Sequence, residues 1–221
     1  MDLAPLADEF TFGLNRIYLL FDQWGFETTF LVAINRYVIE QFGPQIANTA
    51  ATKVLNWSYR VPELDGTRTA YLETRVAFAP SGGVLSGYYA GAGTVTSLGL
   101  QLAHFMGFSE VILIGVDHQY QQGGVPNVAV QSAGEDRSHF SRDYFGRGVT
   151  WQLPDLSAME RGYHQCRRLF EASGRTVLDA TLDGQLRVFP KASIDRVLRD
   201  SRALNRTQFL SSGRADEDRP A

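Results

Sequence analysis

Apolar residues in this chain fall into short continuous runs, separated by longer stretches with a period near 3.6. The strongest run is Val111-Ile112-Leu113-Ile114-Gly115-Val116, closed by Asp117, and a second is Thr29-Phe30-Leu31-Val32-Ala33-Ile34, closed by Asn35. Segments 175–181 and, more weakly, 11–15 repeat the pattern. Strands buried on both faces read as continuous apolar runs, whereas a strand with one wet face alternates. These four segments are therefore predicted to be strands of a parallel sheet under helices, while 52–57 and 69–78 read as strand or loop. Segments 16–24, 37–42, 94–106, 155–173 and 193–203 carry the helical period. In 155–173, Leu156, Met159, Tyr163, Cys166, Leu169 and Phe170 form one stripe. Ser157 and Glu160 have capping-box spacing, and Gly174 stops the helix. Gly107 stands where a C-terminal cap for 94–106 belongs.

Strands alternating with helices predict an α/β domain of the Rossmann-like kind over residues 1–204, a mostly parallel sheet with helices on both faces. Two segments depart from the alternation. Residues 118–154 hold no sustained period but carry Tyr120, His139, Phe140, Tyr144, Phe145 and Trp151. A long aperiodic stretch rich in rings is expected to be a lid over a site. Residues 205–221 are polar and are expected to form a disordered tail. With 221 residues and 44% hydrophobic content the chain can bury one sizeable core.

The formal net charge of -3 gives no bulk attraction to nucleic acid. No apolar run reaches the roughly 18 residues of a membrane span, and the first residues carry no secretion signal. Cys166 is the only cysteine, which excludes an internal disulfide and fits a reducing, cytoplasmic setting.

Ligands of open α/β sheets bind beyond the carboxyl ends of the strands. Asn15, Asn35 and Asp117 each close an apolar run and stand at such ends. Asparagine both donates and accepts, which suits a base, a ribose or a sugar hydroxyl; it also caps helices and forms turns. Gly91-Ala92-Gly93-Thr94-Val95-Thr96 opens the helix before the strongest strand. Glycine allows close backbone approach, and free N–H groups at a helix start attract phosphate or carboxylate. His118 and His139 are candidate general bases, whereas His104 and His164 lie inside helices and read as structural or surface residues. Asp117 with His118 and His139 could instead hold a divalent metal, though their spacing is irregular. Cys166, on a buried stripe, reads as core.

The segment Phe12-Gly13-Leu14-Asn15-Arg16-Ile17-Tyr18-Leu19-Leu20-Phe21 resembles part of the MptE-like family, whose archaeal namesake is a 6-hydroxymethylpterin diphosphokinase. So do Gly93 to Thr96, Leu100 to Ala103 and the block from Met106 through Asp117-His118, with shorter likenesses at Ser138-His139-Phe140, Tyr144-Phe145 and Trp151 to Leu156. The layout is also similar to family 42 bacterial sialyltransferases, which use a CMP-activated sugar and a histidine base. That resemblance implies donor contacts for Asn15, Asn35, Thr94, Val95 and Thr96 and a base at His139 or the Asp143 position, while Tyr120 stands only near the place of the tyrosines that steady the leaving phosphate; Gly93 and His118 are candidates from the residues themselves. Both families open with a strand and a Gly-Asn-Gly-Pro-Ser-like turn. Here Met1 to Leu6 reads like the segment just after that turn, which implies a late start and an open sheet edge inviting association into a homo-oligomer.

Three functional expectations follow. The first is a glycosyltransferase moving a nucleotide-activated sugar, such as a CMP-sugar, to an acceptor glycan or small alcohol. The second is an ATP-using pyrophosphoryl transferase with magnesium at Asp117, although the only lysines, Lys53 and Lys191, lie outside any glycine-rich loop. The third is a non-catalytic binding member.

Overall fold

The computed structural model describes residues 3–75, 82–91, 93–120, 124–136 and 139–199. Five parallel strands form one sheet in chain order: β1 (Phe12–Leu14), β2 (Phe30–Ala33), β3 (Thr52–Asn56), β4 (Thr69–Arg75) and β5 (Tyr88–Ala90). Four more strands follow, β6 (Glu110–Leu113), β7 (Ala129–Gln131), β8 (Thr150–Gln152) and β9 (Thr176–Asp179). β6 pairs with β9 in parallel, and β7 pairs with β8 antiparallel. The helices are α1 (Phe21–Trp24), α2 (Arg36–Ala47), α3 (Gly82–Leu85), α4 (Val95–Phe105) and α5 (Leu156–Ala172). The chain has the expected α/β, Rossmann-like fold, and no helix among the described residues is long and apolar enough to cross a membrane.

The continuous apolar runs are explained by two-sided burial. On β2 and β3, Leu31, Ala33 and Leu55 face Val38, Ile39 and Ile46 of α2. Their alternates Val32 and Val54 face Leu98 and Leu102 of α4. A third core joins Leu100 and Ala103 of α4, Leu113 of β6, Met159, Tyr163, Cys166 and Phe170 of α5, and Val177 of β9. Successive strand residues point to opposite faces, so a strand sandwiched by helices has no polar face.

Several elements differ from expectation. Segment 16–24 is a 3-10 turn (Ile17–Leu20) followed by one turn of α1. Left-handed Asn15 (φ 51) and Gly25 (φ 74) bracket it and leave room for no more. Helix α2 runs on to Ala47, because Phe42 (φ -126) absorbs a kink at Pro44 and the helix continues past it. Helix α5 is capped by Asp155, whose carboxylate accepts from the Ala158 N–H at 2.8 Å, in place of the expected Ser157–Glu160 box. Segment 52–57 resolves as strand β3 over Thr52–Asn56, segment 69–78 is strand β4 over Thr69–Arg75 with 76–78 outside the described residues, and β5 is too short to leave a sequence pattern. Segment 118–154, expected to be aperiodic, contains a short antiparallel pair, β7 with β8. The last helix is described over 194–199, and the tail 205–221 lies outside the described residues.

Gly13 is the tight point of β1. A Cβ there would lie 2.4 Å from Ile17 Cγ2 and 2.6 Å from Thr28 Oγ1. Overpacking of this kind costs about 1–3 kcal/mol. Gly13→Ala is expected to lower the urea midpoint accordingly without changing the slope of the transition.

Candidate functional site

One cleft of about 1330 Å³ lies beyond the carboxyl ends of β1 to β3 and continues between β1 and β6. Every residue singled out from the sequence lines it: Asn15, Asn35, Gly93, Thr94, Val95, Thr96, Asp117, His118, Tyr120 and His139.

The asparagines do different work. Asn15 follows β1 in the left-handed region, held by its N–H to the Val32 carbonyl at 2.8 Å. Its amide side chain bonds the Tyr144 phenol, while its Oδ1 is buried with no partner among the described residues. A buried acceptor without a donor is costly, and a ligand N–H or O–H in the cleft would satisfy it. Asn35 caps α2, accepting from the N–H groups of Tyr37 at 2.9 Å and Val38 at 3.3 Å. Its Nδ2 donates to Gln152 Oε1 of β8 at 3.2 Å, so it also ties β8 to the sheet. Helix capping and a site contact thus coexist in one residue.

The start of α4 is built from Gly93, Thr94 and Thr96. Gly93 has φ 71, and a Cβ there would lie 2.9 Å from Ala158 and Met159 of α5, so glycine is required on both counts. Thr94 caps the helix by accepting from the Thr96 N–H at 3.3 Å. Tyr163 of α5 bonds both threonine hydroxyls; burial raises its phenol above the ordinary value, against those hydrogen bonds. Val95 lines the wall between them.

Beyond β6, Asp117 is exposed in the cleft. His118 adopts φ 53, sets its ring edge-on to Tyr163 at 5.8 Å, and leaves Nδ1 buried without a partner among the described residues. Tyr120 is pushed well above the usual phenol range by burial and packs edge-on to His139 at 6.3 Å.

His139 is the best-organised polar group of the cleft. Its Nδ1 lies 2.8 Å from Asp136 Oδ2, and its backbone N–H donates to Asp136 Oδ1 at 3.2 Å. The Phe145 N–H donates to the same carboxylate at 3.2 Å. The imidazole stacks flat on Tyr144, with centroids 4.1 Å apart and planes 3° apart. A carboxylate only accepts, so Nδ1 carries the proton and Nε2 keeps its lone pair. Burial pushes the imidazole below the ordinary histidine value, against the opposing pull of Asp136 and Asp117.

Three residues that complete this arrangement were not foreseen. Asp136 stands three residues before His139, and that spacing was the available signal. Asn56 closes β3 as Asn15 and Asn35 close β1 and β2; its Nδ2 donates to Thr74 Oγ1 at 3.3 Å and to the Tyr89 hydroxyl at 3.2 Å. Arg16 is buried, 6% exposed, donates to the Asp143 carbonyl at 2.9 Å and to the Tyr144 carbonyl, and lies 3.6 Å above the Phe42 ring. Nothing local to Arg16 announces a partner 127 positions away.

The other expectations hold in part. His104 is 7% exposed and bonds Ser173 Oγ at 2.8 Å, His164 is exposed, and Cys166 is buried with its thiol pushed up to about 12 by burial. Among the described residues no three of His, Cys, Asp and Glu gather as metal ligands, so Asp117, His118 and His139 do not form the metal site considered above. No protein-family model, curated protein or solved structure matches this chain.

Arg16 fastens the segment around Asp143 and Tyr144 to the sheet. Hydrogen bonds to a charged donor contribute about 1.5–3 kcal/mol. Arg16→Met keeps the stem on Phe42 but loses both carbonyl contacts. Limited proteolysis should then cut within 124–153 far faster than in the parent, while cleavage elsewhere is unchanged.

Proposed function

We propose that the cleft is the active site of a transferase that moves a nucleotide-activated sugar to a hydroxyl acceptor. The Asp136–His139 pair carries this reading, because it presents an oriented imidazole in a cleft wide enough for two substrates. His139 Nε2 takes the acceptor hydroxyl proton as the oxygen attacks the anomeric carbon. The bond from that carbon to the nucleotide phosphate breaks, and the nucleotide leaves with the electron pair. Asp136 holds the tautomer and steadies the imidazolium. The N-terminus of α4, with Thr94 and Thr96, faces the anionic part of the donor. Asn15 Oδ1 supplies an acceptor to a donor hydroxyl or amine. The resemblance to the family 42 sialyltransferases agrees with these roles and favours a CMP-linked donor, whereas the resemblance to the MptE-like family favours pyrophosphoryl transfer.

The magnesium-dependent pyrophosphoryl reading has weaker support. Asp117 stands at the cleft without a cluster of further ligands among the described residues, so no step is routed through a metal.

Thermal shift with CMP, CDP, ATP and GTP, each with and without magnesium, separates the readings. A rise in Tm with CMP or CDP independent of metal is the expected result, and stabilisation by ATP only with magnesium would reverse the assignment. In a transfer assay with a CMP-sugar and an oligosaccharide acceptor, His139→Ala is expected to lower kcat by about 10²–10⁴, with donor binding retained. Asp136→Asn should lower it too, because the amide no longer selects the Nδ1–H tautomer. Burial lowers the His139 pKa, so the acid limb of the rate profile should fall below pH 6.5. An acid limb above pH 7, or an unchanged His139→Ala variant, contradicts the role.

A further inference from the structure

Beyond β3, β4 and β5 the cleft is lined by Asn56, Tyr59, Thr74, Tyr89 and Gly91, none of which the mechanism above uses. The sheet register brings them together. Thr74 of β4 stands opposite Tyr89 of β5, and Asn56 of β3 stands opposite Leu72, two residues before Thr74. The Tyr89 ring packs in the core with Val54, Leu72 and Leu98 and is 4% exposed, while its phenol reaches both Asn56 and Thr74. A Cβ at Gly91 would lie 2.8 Å from Thr74 Cγ2, so glycine lets the exit of β5 pass close to the threonine.

The hydrogens of this cluster can be counted. Asn56 Oδ1 accepts from the Ser58 N–H at 2.9 Å, which fixes the orientation of the amide. Its Nδ2 therefore has two hydrogens to give, one to Thr74 Oγ1 at 3.3 Å and one to the Tyr89 hydroxyl at 3.2 Å. Thr74 Oγ1 donates its own hydrogen to the Tyr89 hydroxyl at 2.7 Å. The phenol oxygen thus accepts twice, and its hydrogen has no acceptor among the described residues. Burial raises the phenol above its ordinary value, against those two hydrogen bonds, so the hydrogen is in place at neutral pH. A buried donor without an acceptor is costly, and an oxygen of a ligand in the cleft would satisfy it.

We propose that Tyr89, oriented by Asn56 and Thr74, is a specificity determinant for the second substrate, an uncharged saccharide whose hydroxyl or ring oxygen accepts the Tyr89 hydrogen. The assignment deepens the transferase reading and rests on it, since that reading requires a hydroxyl acceptor beside the donor. The chemistry of the five residues selects the class. None of them carries a charge, and Arg36, also at the cleft, is paired with Glu40 at 2.9 Å, so this part of the cleft offers no free cation to a phosphate or carboxylate. A wholly apolar ligand would leave the phenol hydrogen unmet. A sugar presents oxygens to the phenol and C–H surface to the ring of Tyr59.

Nuclear magnetic resonance titration of the intact chain provides the test. The probes are methyl β-galactoside, methyl β-glucoside and methyl β-N-acetylglucosaminide, each with and without saturating CMP. At least one is expected to move the Gly91 amide and Asn56 side-chain amide signals saturably. Tyr89→Phe keeps the ring but removes the hydrogen, and should weaken that binding about tenfold. Thr74→Val leaves the Tyr89 hydrogen in place and should change binding by no more than about threefold. CMP should stabilise both variants as it stabilises the parent. Signals that no glycoside moves, with or without CMP, overturn the proposal. So do equal losses in the two variants, which would make the cluster purely structural, or an unchanged Tyr89→Phe. Glycoside binding that Tyr89→Phe weakens, in a chain that CMP does not stabilise, would keep the saccharide site and remove the transferase reading instead.

Discussion

Burial of β2 and β3 on both faces is the constraint from which the rest of the molecule follows. Leu31 and Leu55 are 0% exposed under α2, and Val32 is 0% exposed under α4. Parallel strands cannot be joined by tight turns, so each connection must cross a face, and each crossing helix supplies the apolar cover the strands need. The same geometry sends every strand out at one end of the sheet. Asn15, Asn35 and Asn56 therefore emerge side by side, and the start of α4 lies beside them. The cleft is a consequence of how the core is covered.

The segment that carries β7 and β8 is held by polar contacts of another kind. Its own hairpin is three residues on each strand and its core is a stack of rings, with Phe145 on Trp151 at 5.0 Å and His139 on Tyr144. It joins the sheet through Arg16, through the Asn35–Gln152 contact, and through Gln41, which bonds the Thr150 backbone in both directions. A buried guanidinium on two carbonyls satisfies peptide groups that an irregular segment would otherwise leave unpaired. The Asp136–His139 pair sits on this segment, so the chemistry of the cleft depends on the same ties.

Much of this architecture was legible in the residues. Runs 29–35 and 111–117 announced buried strands because their positions show no polar alternation, and 155–173 announced its helix through a full apolar stripe. Asn15, Asn35 and Asp117 were legible because a polar residue closing such a run must lie at a strand end. Asn56 closes a run too, but Lys53 breaks that run's apolar character. Lys53 is 2% exposed and donates to the Thr49 carbonyl at 2.7 Å, a burial no pattern announces. Asp155 outcompeted Ser157 as the cap of α5 because its carboxylate reaches the Ala158 N–H, which depends on the backbone entering the helix.

By itself the sequence determined the alternation of strands and helices, the stripes that face the core, and the polar residues at strand ends, because all three are local consequences of side-chain period and burial. Tertiary structure alone decided which ends meet. It set His139 on Tyr144 and against Asp136, and placed Arg16 against the Asp143 carbonyl, 127 positions away. Such pairings follow from strand order and crossover path, which bring together residues whose local sequences carry no record of one another.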